Sequence, residues 1–183
     1  IRLGWLVRIR AKPVIVEELD ISNIDVVAGD FVARQLDKAV LKAVEGVVRG
    51  TLEHEPERTA IGFFPGVASA EFACLRFNAL KPGSAICISD KTPREERREL
   101  VADFKRGKYQ FLLNCQLASE GFDAPNVNCI LLARPTKSLS LLAQFIGRGS
   151  RPLPDAGLHL APGADHAADR QALIAFSAKP DCM

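Results

Sequence analysis

A chain of 183 residues that is 48% hydrophobic and 25% charged is long enough for one domain with a real core, so disorder is not the default. Lysine and arginine (24) barely outnumber aspartate and glutamate (22), so any nucleic-acid contact has to be local rather than driven by overall charge. No run approaches the roughly 20 apolar residues of a membrane-spanning helix and no signal peptide opens the chain, which argues against a membrane protein and for the cytoplasm.

Ile1 to Pro13 mixes apolar residues with Arg2, Arg8, Arg10 and Lys12, basic residues that suit either a solvated linker or a phosphate backbone. Val14, Ile15 and Val16 read as a short strand ahead of the acidic Glu17, Glu18 and Asp20. Over 30–48 apolar residues recur at Phe31, Leu36, Val40, Leu41, Val44, Val47 and Val48, close to a helical period, with Asp30 as a plausible N-cap. Gly50 and the polar stretch 53–58 then predict a loop. Residues 59–64 form a buried strand that Pro65 and Gly66 end.

Beyond that point the chain alternates. Residues 68–80 read as a helix, Lys81, Pro82 and Gly83 as a turn, and 85–88 as an apolar strand. Thr92 caps a helix with Pro93 at its first position, Glu95 and Glu96 in its first turn and a stop at Arg106 and Gly107. Residues 111–113 and 127–133 are two more strands, and Ser138 caps a helix over 138–146. Pro152, Pro154 and Gly157 close the block, and one weak helix over 167–177 follows. Short apolar strands alternating with amphipathic helices predict an α/β fold, a parallel β-sheet with helices on both faces and ligand-binding loops at the carboxyl strand ends. The organisation is an entry segment with a leading helix (1–58), a core (59–157) and a tail (158–183). Because it opens on Ile1 and stops at Met183 without an obvious terminal element, the chain reads as a fragment of something larger.

The five cysteines are an odd count, never two or four apart, and three sit in apolar runs. They read as buried thiols of a reducing compartment, and with the three histidines far from them no metal site is expected.

Two stretches carry chemistry. In Gln144-Phe145-Ile146-Gly147-Arg148-Gly149-Ser150-Arg151, two arginines three apart follow a glycine at a helix end. The guanidinium fork matches phosphate oxygens and never titrates away, Gln144 shares a face with Arg148, and Gly147 and Gly149 leave room for an anion. A helix end with solvated arginines suiting the macrodipole is the alternative. In 114–125, Ser119, Gly121 and Asp123 make a polar turn in which Gly121 admits a ligand and Asp123 accepts from sugar hydroxyls. An Asx-turn stopped by Pro125 is the alternative there. With Pro65 and Gly66, all three stretches can fall on one sheet edge.

Together these stretches resemble the C-terminal RecA-like (P-loop NTPase-like) lobe of superfamily-two helicases and translocases, in the branch of type I restriction motor subunits and related phage and repair helicases. Residues 59–64 look like the fourth motif of that family, 114–125 with the core Glu120-Gly121-Phe122-Asp123 like the fifth, and 144–151 like the sixth, Gln-x-x-Gly-Arg-x-x-Arg. The likeness covers 59–152. It implies that Arg148 and Arg151 are arginine fingers for the γ-phosphate of ATP and that Gln144 touches the phosphates or relays to a partner lobe. It also implies that Asp123, Gly121 and Gly147 belong to the nucleotide site, and that Phe64, Pro65, Gly66, Ser69, Asn114 and Ser119 line the nucleic-acid side, DNA before RNA. Phe145 departs from the arginine common in other branches.

No Gly-x-x-x-x-Gly-Lys-Ser/Thr loop and no Asp-Glu-x-His or Asp-Glu-Ala-Asp stretch occurs in the chain. In the resembled family the loop holding ATP phosphates and the carboxylates holding Mg2+ lie on the N-terminal lobe. The chain is then expected to be half of a motor, inactive alone, with ATP and Mg2+ bound at the interface with an N-terminal RecA-like partner lobe. The rival reading is a non-catalytic nucleic-acid- or protein-binding module that keeps the RecA-like fold.

Overall fold

The computed structural model describes residues 6–115, 124, 126–152, 171, 174, 175, 179 and 181–183. In chain order the elements are β1 (Arg8–Ile9), β2 (Val26–Val27), β3 (Asp30–Phe31), α1 (Ala33–His54), β4 (Ala60–Phe64), α2 (Val67–Leu80), β5 (Ala85–Ile88), α3 (Arg94–Lys105), β6 (Phe111–Cys115), β7 (Cys129–Leu132), α4 (Leu139–Gly149) and β8 (Asp181–Cys182).

The sequence Ala-Ile-Gly-Phe-Phe of β4 has no polar side chain, and all five residues are buried. A strand of that kind needs neighbours on both edges and a cover on both faces. It finds β6 on one edge and β7 on the other, with β5 beyond β6, all parallel, in the order β5-β6-β4-β7. Because side chains alternate along a strand, Ala60 and Phe64 join Phe111, Leu113, Leu36, Val44, Ala73 and Phe77 on one face, under α1 and α2. Ile61 and Phe63 join Ile86, Leu112, Phe104, Val127 and Phe145 on the other, under α3 and α4. The α/β architecture with helices on both faces is thus present, and α1, ahead of the predicted core, is part of it.

The sheet does not stop at β7. Met183 donates its N–H to Asn128 (3.0 Å) and Ile130 donates to Met183 (2.7 Å), so the chain end runs along the outer edge of β7. β8 pairs in turn with β1, again parallel, with Arg8 opposite Asp181 and Ile9 opposite Cys182. Neither strand was legible beforehand.

Three local expectations are corrected. The helix does not begin at Asp30 or end before Gly50: α1 runs from Ala33 to His54 with Val32 at its N-cap. Asp30 sits instead in a β2–β3 hairpin turned by Ala28 and Gly29, both at positive φ. Its carboxylate accepts from the Thr136 hydroxyl and the Lys137 N–H, each at 2.9 Å. Residues 14–16 are not a strand but an extended strap laid on α1. Gly46 and Gly50, one helical turn apart, make room for it: a Cβ at Gly46 would fall 2.6 Å from Val16 Cγ1, and one at Gly50 closer still to Val14 Cγ1. Finally, the Thr92 hydroxyl accepts from Ser89 N–H (3.0 Å), closing the β5–α3 loop, and α3 takes Pro93 as its N-cap. The predicted stop holds: Gly107 is at positive φ and donates to Phe104 O (3.0 Å). The helix expected over 167–177 lies almost entirely outside the described residues.

Two outcomes follow from these contacts. Gly50→Ala should gain about 1 kcal/mol of helix propensity and lose about 1–3 from overlap with Val14. Net destabilisation in thermal melts is therefore expected, with recovery in the Gly50→Ala/Val14→Ala double variant. Burial would raise the Asp30 carboxyl, but the Lys137 and Phe31 N–H groups, the Thr136 hydroxyl and Arg134 outweigh it and hold it below its ordinary 3.8. A depressed carboxyl stabilises the fold above its unfolded value and loses that contribution as pH falls through the folded one. Asp30→Asn should therefore cost about 1 kcal/mol at neutral pH and flatten the loss of stability below about pH 4, as read from denaturant titrations across pH.

Candidate functional site

α4 is built to present its carboxyl end. The Ser138 hydroxyl accepts from Leu141 N–H (3.3 Å) at the start, and Phe145 stacks on Phe63 of β4 with ring centroids 4.3 Å apart. At the far end a Cβ on Gly149 would lie 2.5 Å from Cys182 Sγ and 2.7 Å from Ile130 Cγ1, so only glycine lets the helix settle onto β7 and β8. Gln144 and Arg148, four apart, fall on one helix face. Gln144 is exposed, Arg148 half-buried, and Arg151, just past the helix end, exposed.

The two glycines differ in what surrounds them. Gly147 lies inside α4, with no positive φ and nothing near its Cβ position. The close approach that Gly149 permits is to the sheet, not to an anion.

Two of the three stretches expected on one edge, Pro65–Gly66 and the end of α4, lie in different places. Phe63, opposite Leu132, is near the carboxyl end of the sheet, whereas Ile130 lies opposite Ile61. Since Phe145 touches the first and Gly149 the second, α4 runs back towards the amino ends of the strands. Arg148 and Arg151 therefore stand away from the carboxyl edge, on the face formed by Ile61, Phe63 and Phe145. Ala124 and Val127 pack in the same cluster, and Asn126 Nδ2 donates to Phe104 O (3.2 Å). Ser119, Gly121 and Asp123 lie outside the described residues.

At the carboxyl edge the strand-binding candidates are largely engaged. Phe64 is core, Pro65 is buried, and Gly66 is the N-cap of α2. Ser69, fully buried, gives its hydroxyl (2.5 Å) and its N–H (3.2 Å) to the carboxylate of Asp37 on α1. That carboxylate occupies the positive end of the α2 dipole, where an anion would otherwise be favoured. Asn114 is 4% exposed, and its Nδ2 donates to Gly62 O (3.0 Å), so it braces β6 against β4 inside the sheet. Of the six residues expected to line this side, none of the five described offers a free, exposed side-chain donor. Asp37 went unnoticed because a lone aspartate on a polar helix face looks solvated; only the packing of α1 on α2 brings it to Ser69.

The cysteines supply no reactive group. Burial pushes the Cys74 thiol up to about 11 and those of Cys87 and Cys129 up to about 12, which leaves them protonated at neutral pH. Among the described residues no cluster of His, Cys, Asp and Glu could hold a metal ion, and no helix is long and apolar enough to cross a membrane.

Comparison with known proteins places this geometry. A 51.5 kDa protein of a Lactococcus phage (isolate 7-9) is 34% identical over 134 residues, 73% of this chain and 29% of its own length. The Saccharomyces cerevisiae protein IRC3, whose name describes an ATP-dependent helicase, is 34% identical over 151 residues, 80% of this chain and 22% of its own. The chain thus spans under a third of these relatives. Among solved structures, a Vibrio vulnificus fragment named as an HsdR subunit of a type I restriction enzyme superposes with a TM-score of 0.54 at 20% identity, over 67% of this chain and 26% of that one. The yeast DEAD-box splicing factor Prp28 does so with 0.52 at 19%, over 57% and 24%. At such identities these two show the fold alone, a RecA-like helicase lobe. Residues 39–152 match the family described as the helicase conserved C-terminal domain. With more than half of its length matched and the parallel sheet of that lobe in place, the chain belongs to the helicase conserved C-terminal domain family.

Proposed function

We propose that the chain is the second motor lobe of an ATP-dependent nucleic-acid helicase or translocase, and that it completes a nucleotide site it does not itself hold. The observation that carries this reading is the succession of Gln144, Arg148 and Arg151 from the middle of α4 to just past its carboxyl end, within the matched family region. Relatives named as ATP-dependent helicases support it. ATP with Mg2+ supplies the phosphoryl-transfer chemistry and is held mainly by an N-terminal lobe, since this chain has neither phosphate loop nor metal cluster among its described residues. The residues here that fit an anion are the two guanidiniums, planar donor forks of permanent charge. Brought up only when the lobes close, they stabilise charge developing on the γ-phosphate, which couples hydrolysis to closure and closure to stepping along a strand. Asp123, next to Ala124 in sequence, is proposed to take the ribose.

The nucleic-acid side is proposed at the carboxyl edge, by backbone groups near Gly66 and by the stretch after β6. Engaged side chains and the Asp37 carboxylate there make contact weak and not sequence-specific. The binding should fade with rising salt as counterion release loses its advantage; salt-independent binding or strong preference for one sequence would count against this edge.

The arginines give the sharper test. In the complete protein, Arg148→Ala or Arg151→Ala should lower turnover by roughly a thousandfold while ATP binding falls far less. Stability should change by no more than about 1 kcal/mol, and lysine should rescue poorly. Well-folded variants that keep normal turnover in single-turnover hydrolysis would remove the reading.

A further inference from the structure

The backbone between the two arginines is held by a residue more than a hundred positions upstream. Val7, at 0% exposure, donates its N–H to the carbonyl of Ser150 (2.8 Å), and Ser150 stands between Arg148 and Arg151. Val7 leads directly into β1, and β1 is fixed to β8 from both the backbone and the side chains. Arg10 N–H donates to Cys182 O (2.8 Å), and Arg10 Nε pairs with Asp181 Oδ2 (2.8 Å). The other oxygen of Asp181 pairs with Arg58 Nη2 (2.8 Å). Arg58 is anchored to Glu55 Oε2 (2.8 Å) and to Asn128 O (3.0 Å) beside β7. Asp181, with only 8% of its side chain exposed, is thus the joint at which the entry strand, the α1–β4 loop and the last strand meet. α4 rests on the same ribbon, because Gly149 sits against Cys182.

We infer that β1 is a positioning strut for the arginine pair, its Val7 N–H setting the Ser150 backbone and its Arg10–Asp181 pair setting Val7. This rests on the reading of Arg148 and Arg151 as γ-phosphate ligands. The chemistry requires it because a guanidinium fork stabilises a transferring phosphoryl group only in register with it, and a misplacement of about 1 Å costs on the order of a hundredfold in rate. Ser150 is the C-cap of α4, where carbonyls run out of intrahelical donors, and the Val7 N–H supplies one from outside. A pull on the entry segment reaches the arginines through one hydrogen bond.

The test compares Val7→Pro with Val7→Ala in the complete protein. Both lose the buried methyl groups, but only proline loses the N–H donor. The expected result is that Val7→Ala lowers the melting temperature and keeps kcat per folded molecule, whereas Val7→Pro lowers kcat at least about tenfold further with KM for ATP within about twofold. Arg10→Asp, an exposed change that sets two carboxylates against each other, covers the case in which proline prevents folding. It should lower kcat per folded molecule in the same pattern, with the folded fraction at the assay temperature read from melting curves. If both variants turn over like Val7→Ala while Arg148→Ala is inactive, the strut is wrong and the motor reading stands; if Arg148→Ala itself turns over normally, both fall.

Discussion

Everything in this lobe depends on the burial of β4 on both faces and both edges. Ala60 to Phe64 carries no polar side chain, so its only satisfied state is the middle of a parallel sheet covered by helices on either side. Phe63 then faces α4 and Phe64 faces α1 and α2, and the two stacked pairs, Phe63 with Phe145 and Phe77 with Phe111, each at 4.3 Å, fix those helices to the sheet. The candidate site inherits its geometry from that one strand. α4 is aimed by Phe145 against Phe63 and stopped by Gly149 against β7 and β8, and the arginines extend from where it stops.

The same frame separates the two surfaces proposed to meet ligands. On the α4 face lie the arginines with Ala124 and Val127; at the carboxyl edge lie Pro65, Gly66 and Ser69 with Asp37 among them. The proposed motor function requires that separation, since nucleotide and strand must be sensed at different places for one to drive movement along the other. The entry strand β1 joins the first surface directly, by the bond from Val7 to Ser150, so the chain leading into the lobe and the residues proposed to meet ATP are mechanically continuous.

What the sequence disclosed was whatever rests on local pattern. Apolar runs marked β4 to β7, Ser138 announced its helix, and Gly107 announced a stop that only a glycine makes cheaply. Misreadings arose where a residue's partner is distant in sequence. Asp30 looks like a helix cap but binds the loop at Thr136 and Lys137, and Gly50 looks like a helix end but is a seat for Val14. β1 and β8, two residues each, are strands only because they pair with one another and with the edge of β7. At the site, the types and spacing of Gln144, Arg148 and Arg151 could be read directly, but the direction of α4, which takes them away from Gly66, could not. Nor could the Asp37 carboxylate over Ser69, because nothing in a helical period says which neighbouring helix will pack there.

The central claim is that this chain contributes the arginines of a nucleotide site whose remaining parts lie elsewhere in the longer protein. Its most direct measurement is ATP turnover on mixing, with this chain and the separately prepared N-terminal portion combined in the presence of a nucleic-acid strand. The account predicts that neither part alone hydrolyses ATP appreciably. Turnover should appear and saturate as the chain is added, and a chain carrying Arg148→Ala and Arg151→Ala should fail to supply it. An N-terminal portion that reaches the full rate alone, or a doubly substituted chain that restores it, would contradict the account.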